Sequence, residues 1–393
     1  MNNRIYLDYN ATTPCDQKVV DHMRPFFNET YGNPSSAHHT YGWLAKEIIV
    51  DSGKLIANTL GVSADDLIYT SGATESINMV LKSFSSKFRP KGNHIITCKT
   101  EHKAVLDTCS YMEAYEGISV TYLDVDAKGL VDLDQLKEAI RPETSLISIM
   151  HSNNETGVIQ PLRKIRQIVQ GKDIYIFSDA TQSLGKVDLD ELFDCVDMTC
   201  FSAHKLYGPK GMGLVYAKNI AENKVLRALI QGGGQQKRMR GGTINTPGIA
   251  GFAKAIELAL ALGKKEQRRL IHLRNKLESG LLEIEDSFLN SRSVERLPNT
   301  SNISFAYVDG FKLLSALSKY MAVSNGSACN SANENPSHVL LAMGLDQSLA
   351  FSSIRFSIGR FTTDDDIERV IHIVDQEVAK QRASNILWER RSF

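Results

Sequence analysis

Between residues 67 and 217, short apolar runs alternate with longer stretches of helical periodicity. The runs 67–70, 94–98, 119–123, 145–150, 174–178, 198–201 and 213–217 read as strands. Strands that short and that apolar fit a sheet covered on both faces, and the helical stretches between them supply the cover. The alternation therefore predicts an α/β chain built on a mainly parallel sheet. At 393 residues the chain is long enough for about two domains. The glycines 232–234 and the basic run Lys237-Arg238-Met239-Arg240 mark the end of the sheet region. Helical periodicity resumes at Pro247, a good first helical position, and is expected to run to about residue 290. Strands at 302–307 and 353–358 and helices at 310–320, 336–343 and 364–383 complete the chain. The last helix is amphipathic, with Ile367, Val370, Ile371, Val374 and Val378 on one face. Residues 15–258 are read as a large domain. Residues 259–393, with an extended arm at 1–14, are read as a small α+β domain.

The stretch from Phe201 to Gly211 places Lys205 just past the end of a buried strand, on the sheet edge where α/β proteins collect ligands. A lysine there can form a Schiff base with an aldehyde if its surroundings lower its pKa. A second apolar run, Tyr175-Ile176-Phe177-Ser178, ends on Asp179. An acid at one strand end and an amine at a later one are what pyridoxal 5'-phosphate needs, the acid for its ring nitrogen and the amine for its aldehyde. Gly72-Ala73-Thr74-Glu75 joins the first strand to a helix, whose exposed N–H groups suit a phosphate, with Ser202 and His204 as further donors.

These stretches resemble the group I cysteine desulfurases of the NifS/IscS type. The likeness runs nearly end to end, through Tyr6–Pro14, Thr70–Ser76, Thr100–Val105, His151–Glu155, Asp179–Gln182, Arg240–Thr243, Ser327–Cys329 and Ser353–Ser357. It implies the fold type I architecture of pyridoxal-phosphate transferases: a seven-stranded sheet with one antiparallel strand, plus a small C-terminal domain. It also implies a homodimer in which Thr243 completes the partner's phosphate site. By the same likeness the phosphate lies at Ala73 and Thr74, His102 covers the pyridine face, Asp179 meets the ring nitrogen, and Asn154 and Gln182 approach the phenolic oxygen. From its sequence setting alone His102 is equally a helix-start residue. Arg355 interrupts the apolar pattern Ile354, Phe356, Ile358. The family uses this arginine for a substrate α-carboxylate, with Asn154 beside it, whereas an internal ion pair with an Asp or Glu satisfies the sequence as well.

Six cysteines occur, at 15, 98, 109, 195, 200 and 329, with no CxxC pair, and no metal site is expected. Cys98, Cys109, Cys195 and Cys200 fall in apolar segments and read as small hydrophobes. Cys329 sits instead in the small, polar loop 324–337. A half-loop of roughly six residues spans on the order of 20 Å, enough to collect sulfur in one place and deliver it in another. The resemblance implies that Lys205 takes the Cα proton of L-cysteine and that the Cys329 thiolate receives the sulfur, leaving alanine and a persulfide. A sulfur acceptor protein, either an iron–sulfur scaffold or a tRNA-thiolation protein, would follow. A lyase for selenocysteine or cysteine sulfinate, or a non-catalytic sulfur-handling adaptor, remains the alternative. The 45 basic and 45 acidic residues cancel, which gives no bulk attraction to nucleic acid or anionic membranes. With no secretory h-region, no spanning segment and no disulfide framework, a cytoplasmic protein is expected. The chain ends at Phe393, short of the longer tail that IscS-type members use to hold a scaffold.

Overall fold

The computed structural model describes residues 4–85, 92–223, 225–325 and 335–390. Cys329 and most of its loop lie outside the described residues. The strands are β1 (Ile5–Tyr6), β2 (Leu67–Thr70), β3 (His94–Cys98), β4 (Ser119–Leu123), β5 (Thr144–Ser148), β6 (Tyr175–Asp179), β7 (Met198–Ser202), β8 (Gly213–Ala217), β9 (Ser287–Leu289), β10 (Thr300–Phe305), β11 (Met321–Ala322) and β12 (Ser353–Ser357).

The seven-stranded sheet has the order β2-β8-β7-β6-β5-β3-β4. Only β8 runs against its neighbours, pairing antiparallel with both β2 and β7. The other pairings are parallel. The ends of β2, β3, β5, β6 and β7 therefore emerge on one edge, as does the start of β8. Strands β3, β5, β7 and β8 are buried at every residue, as expected for strands with helices on both faces. One face packs Ile77, Val80, Leu81 and Phe84 against Phe177, Met198, Cys200 and Val215. The other packs Ile147, Ile176, Phe201 and Leu214 against Ile249, Phe252, Ala253 and Ile256. Gly213 opens β8 where two backbones meet: a Cβ there would lie 2.6 Å from Gly72 Cα and 2.5 Å from Thr70 Oγ1. Only glycine lets β8 pass so close to the turn after β2.

A second core gathers Leu270, Leu273, Leu277, Ile303, Phe305, Leu313, Ile354, Phe356, Ile367, Val370 and Val374. Ile5 and Leu7 of the N-terminal arm join it, and β1 pairs parallel with β11. The helix Thr246–Leu282 links the two cores and breaks at Gly263 (φ 33°, ψ −127°). It ends eight residues before the expected position, because β9 forms at 287–289 and pairs with β10. That three-residue strand is too short to leave an alternating pattern, and β1 and β11, with two residues each, leave none. Cys98, Cys109, Cys195 and Cys200 are all buried.

Glu278 and Arg296 form a two-point ion pair (2.8 and 3.1 Å) with both side chains close to fully buried, and Ser301 Oγ donates to Glu278 at 2.6 Å. This pair ties the linking helix to the segment that carries Asn299 and Thr300 into the site. Removing one partner leaves a buried charge uncompensated. Glu278→Ala is therefore expected to lower the unfolding free energy by about 3 kcal/mol in urea denaturation. A loss below about 1 kcal/mol would show that the pair is not structural.

Candidate active site

The strand ends enclose a cavity of 560 Å³. Asn10, Ala73, Thr74, His102, Asn154, Asp179, Gln182, Ser202, His204, Lys205 and Arg355 are among its lining residues. Ten of these eleven were expected at the site from the sequence; Asn10 was not.

Lys205 follows β7, and Asp179 ends the neighbouring β6, where it pairs in register with Cys200. Lys205 Nζ donates to the carbonyls of Asn10 (2.6 Å) and Ala11 (2.8 Å). The Asp179 carboxylate accepts from Thr181 N at 2.9 Å. His102 caps the helix Lys103–Tyr115 through Nδ1, which accepts from Ala104 N at 3.0 Å. It is thus both the helix-start residue and a cavity residue, and the cap fixes its tautomer with the proton on Nε2. Burial holds its pKa below the usual value; Asp179 opposes that shift and Lys205 adds to it. His204 is also held neutral, its pKa lowered to about 4 by burial first and then by Lys205, Lys210 and Lys186. Its ring contacts Thr12 Oγ1 at 3.0 Å.

Gly72 stands at the N-cap of the helix Ala73–Lys82 and offers no side chain to the first helical N–H groups. Glu75, in that first turn, accepts from Ser71 N at 2.8 Å and from Arg240 Nε at 2.9 Å. Arg355 is buried. Its Nη2 donates to Asp8 (2.6 Å) and its Nη1 to Asn154 O (3.2 Å), while its Nε has no partner among the described residues. The internal ion pair is therefore present, and Arg355 faces the cavity as well.

The donor set fits pyridoxal phosphate: a lysine and an acid on adjacent strand ends, a helix start without a side-chain cap, and a guanidinium with an orphaned buried N–H. Lys205 would hold the aldehyde carbon, Asp179 the ring nitrogen, and Ala73 and Thr74 with Ser202 and His204 the phosphate. Thr243 is exposed and does not line the cavity.

Sequence reading missed the arm residues Asn10, Ala11 and Thr12, which lay within the motif Tyr6–Pro14 yet had no assigned task. The usable signal was a polar run directly after the apolar Ile5–Leu7. Asn10 is almost completely buried. Its side chain donates to Asn154 O (3.1 Å) and Thr300 Oγ1 (2.8 Å) and accepts from Asn299 (3.1 Å). Glu155 was missed as well. It is buried, and Ser337 Oγ donates to it at 2.5 Å. Burial pushes its carboxyl up to about 7, against the opposing pull of Ser337, Arg355 and Lys103.

The sequence and the fold have close relatives. The aminotransferase class-V family matches residues 5–370. A cysteine desulfurase IscS from Anaeromyxobacter sp. (strain Fw109-5) is 44% identical over 386 residues, covering 98% of this chain and 95% of its own length. The protein of the same name from Histophilus somni (strain 2336) is 46% identical over 389 residues, with the same coverage. A solved NifS-like protein superposes with a TM-score of 0.88 at 37% identity, covering 96% of this chain and 99% of its own.

The Glu155 carboxyl sets a pH dependence. Between about pH 4.5 and 7 the folded protein keeps a proton that the unfolded chain has lost, so stability falls as pH rises through that window. Glu155→Gln keeps an acceptor for Ser337 and removes the titration. It is expected to abolish that slope and to be more stable than wild type at pH 8, by on the order of 3 kcal/mol. Denaturation at several pH values reads this directly, and an unchanged slope would rule the carboxyl out as its source.

Proposed function

The chain belongs to the aminotransferase class-V family, among its pyridoxal-phosphate-dependent cysteine desulfurases of fold type I, and from that membership we propose how its own residues act. It converts L-cysteine to L-alanine and passes the sulfur to Cys329 as a persulfide. The observation that carries this reading is the placement of Lys205, Asp179, His102 and Arg355 around one cavity at the carboxyl edge of the sheet.

When bound, pyridoxal phosphate supplies an electron sink for the pair left when the substrate Cα loses its proton. Asp179 would keep the ring nitrogen protonated. Lys205 Nζ would hold the aldehyde carbon of the cofactor and would be the base that takes the proton from the substrate Cα. Arg355 binds the α-carboxylate beside Asn154. His102, neutral with its proton on Nε2, serves proton transfer at the substrate sulfur.

The Cys329 thiolate then attacks that sulfur. The carbon–sulfur bond breaks as the sulfur–sulfur bond forms, and the substrate carbon takes a proton to give alanine. The settings of the other cysteines support this choice. Burial raises the thiol pKa of Cys98 to about 11 and of Cys109 to about 12, takes Cys200 well above its usual value, and also raises Cys15 and Cys195. Such thiols stay protonated near neutral pH and are poor nucleophiles.

The relatives' role points to a protein acceptor in iron–sulfur assembly, with a tRNA-thiolation protein as the other candidate. The exposed Thr243 is suited to a homodimer in which it reaches the partner's phosphate site. Among the described residues no helix is long and apolar enough to cross a membrane, and a cytoplasmic setting, where thiols stay reduced, suits the chemistry.

Lys205→Ala is expected to yield no alanine and no borohydride-reducible imine; turnover near the wild-type rate would remove Lys205 from both roles. Cys329→Ser is expected to bind cofactor and to change its absorption on adding cysteine, without releasing alanine above background. Wild type pulsed with cysteine in the absence of reductant gains one sulfur on the peptide containing Cys329, read by mass. Alanine release by Cys329→Ser at the wild-type rate would favour a lyase instead.

A further inference from the structure

A second lysine lies behind the cavity. Lys186 sits four residues after Gln182 in the turn that follows β6, and its amine reaches back to Gln182 Oε1 at 2.7 Å and to Asn10 Oδ1 at 3.4 Å. The amine end is buried. That burial, with Lys205 and Arg355 nearby, takes its pKa well below the usual lysine value. Neither burial nor a lowered pKa alone assigns a role, but the bonding direction does. A lysine nitrogen facing an amide at this distance donates, so it selects the oxygen end of Gln182. The other end is then fixed as the donor, and Gln182 Nε2 donates to Asn10 O at 2.9 Å. The same carbonyl oxygen accepts from Lys205 Nζ at 2.6 Å. Gln182 is buried and lines the cavity, so a flip of its amide would put an acceptor where the site now presents N–H groups.

We propose that Lys186 is a positioning residue: by donating to Gln182 Oε1 it locks the Gln182 amide with its N–H groups toward the Asn10 side of the cavity, as donors for an anionic ligand oxygen such as a phenolate. The inference rests on the cofactor assignment made under the proposed function and adds a residue that does not itself line the cavity. An ammonium at Lys186 can only donate, and an amine also donates here, because Gln182 Nε2 is already engaged by the Asn10 carbonyl, which leaves Oε1 facing the lysine.

The test is a double-mutant cycle read by the dissociation constant of pyridoxal phosphate, titrated by absorbance into cofactor-stripped protein. Gln182→Ala and Lys186→Met are each expected to weaken binding roughly tenfold, the scale of one misplaced hydrogen bond. In the Gln182→Ala background, Lys186→Met is expected to change binding by less than about twofold, since the lysine acts through the amide. Lys186→Arg, which keeps a donor, is expected to stay within about threefold of wild type. Near-UV circular dichroism checks the fold. If Lys186→Met does not fold, Lys186→Leu, which also removes the donor, takes its place in the cycle. The proposal is overturned if the Lys186 substitution weakens binding equally with and without Gln182, which would indicate an effect of charge or packing. It is also overturned if either single change leaves binding unaltered. A wild-type protein that bound no pyridoxal phosphate would instead overturn the cofactor assignment itself.

Discussion

The edge that carries the chemistry depends on one peptide carbonyl, that of Asn10. It accepts from Lys205 Nζ and from Gln182 Nε2, while the Asn10 side chain bonds Asn154, Asn299, Thr300 and Lys186. Asn10 therefore joins the N-terminal arm, the ends of β5, β6 and β7, and the segment leading into β10. A buried polar network is costly unless its members are satisfied, and satisfied it fixes one geometry. The arm is held by the second core through Ile5 and Leu7, so the site stays assembled only while both cores keep their relative position. The Glu278–Arg296 pair bears on this because it anchors the chain three residues before Asn299.

Burial, more than charge pairing, sets the protonation of the groups around that network. It is the leading cause of the lowered pKa at His102, His204 and Lys186 and of the raised pKa at Glu101 and Glu155. Each shift favours the uncharged form, as desolvation must. The result is a cavity with neutral imidazoles at His102 and His204, lined also by Asp179, which accepts from a peptide N–H, and by Lys205. Tyr207 shows what the tight geometry costs. Its φ of 65° is unusual for a bulky residue, and it is held by Thr13 Oγ1 on its N–H and by the Arg360 guanidinium 4.0 Å from its ring.

Most of the sheet was legible because buried parallel strands leave continuous apolar runs. β2, β3, β4 and β8 fall at the expected residues, β5 and β6 shift by one or two residues at both ends, and β7 runs one residue further. The direction of β8 was not legible from periodicity, since an apolar run of five residues reads the same either way; the family resemblance implied one antiparallel strand without saying which. The site's strand-end residues were legible for a related reason: a polar residue closing an apolar run stands out. Asn10 and Glu155 were not, because each owes its role to partners 144 or more residues away. The acid for Arg355 came from a comparable distance. Asp8 lies 347 residues earlier in the chain, and no local pattern could have named it.

The two readings of Arg355 were opposed in the sequence and are compatible in the structure. A guanidinium carries five N–H donors. Asp8 and the Asn154 carbonyl engage Nη2 and Nη1, and the Nε–H is buried without a partner among the described residues. A lone buried arginine would be strongly disfavoured, so Asp8 keeps the guanidinium tolerable and in one orientation. The orphaned N–H carries a penalty of about 1–3 kcal/mol that any ligand oxygen reaching it would relieve. A planar carboxylate matches the donors that remain, whereas a single neutral acceptor leaves one of them unmet. The ion pair does not exclude the proposed carboxylate role: Asp8 fixes the plane of the guanidinium, and a ligand carboxylate would meet its remaining donors in that plane.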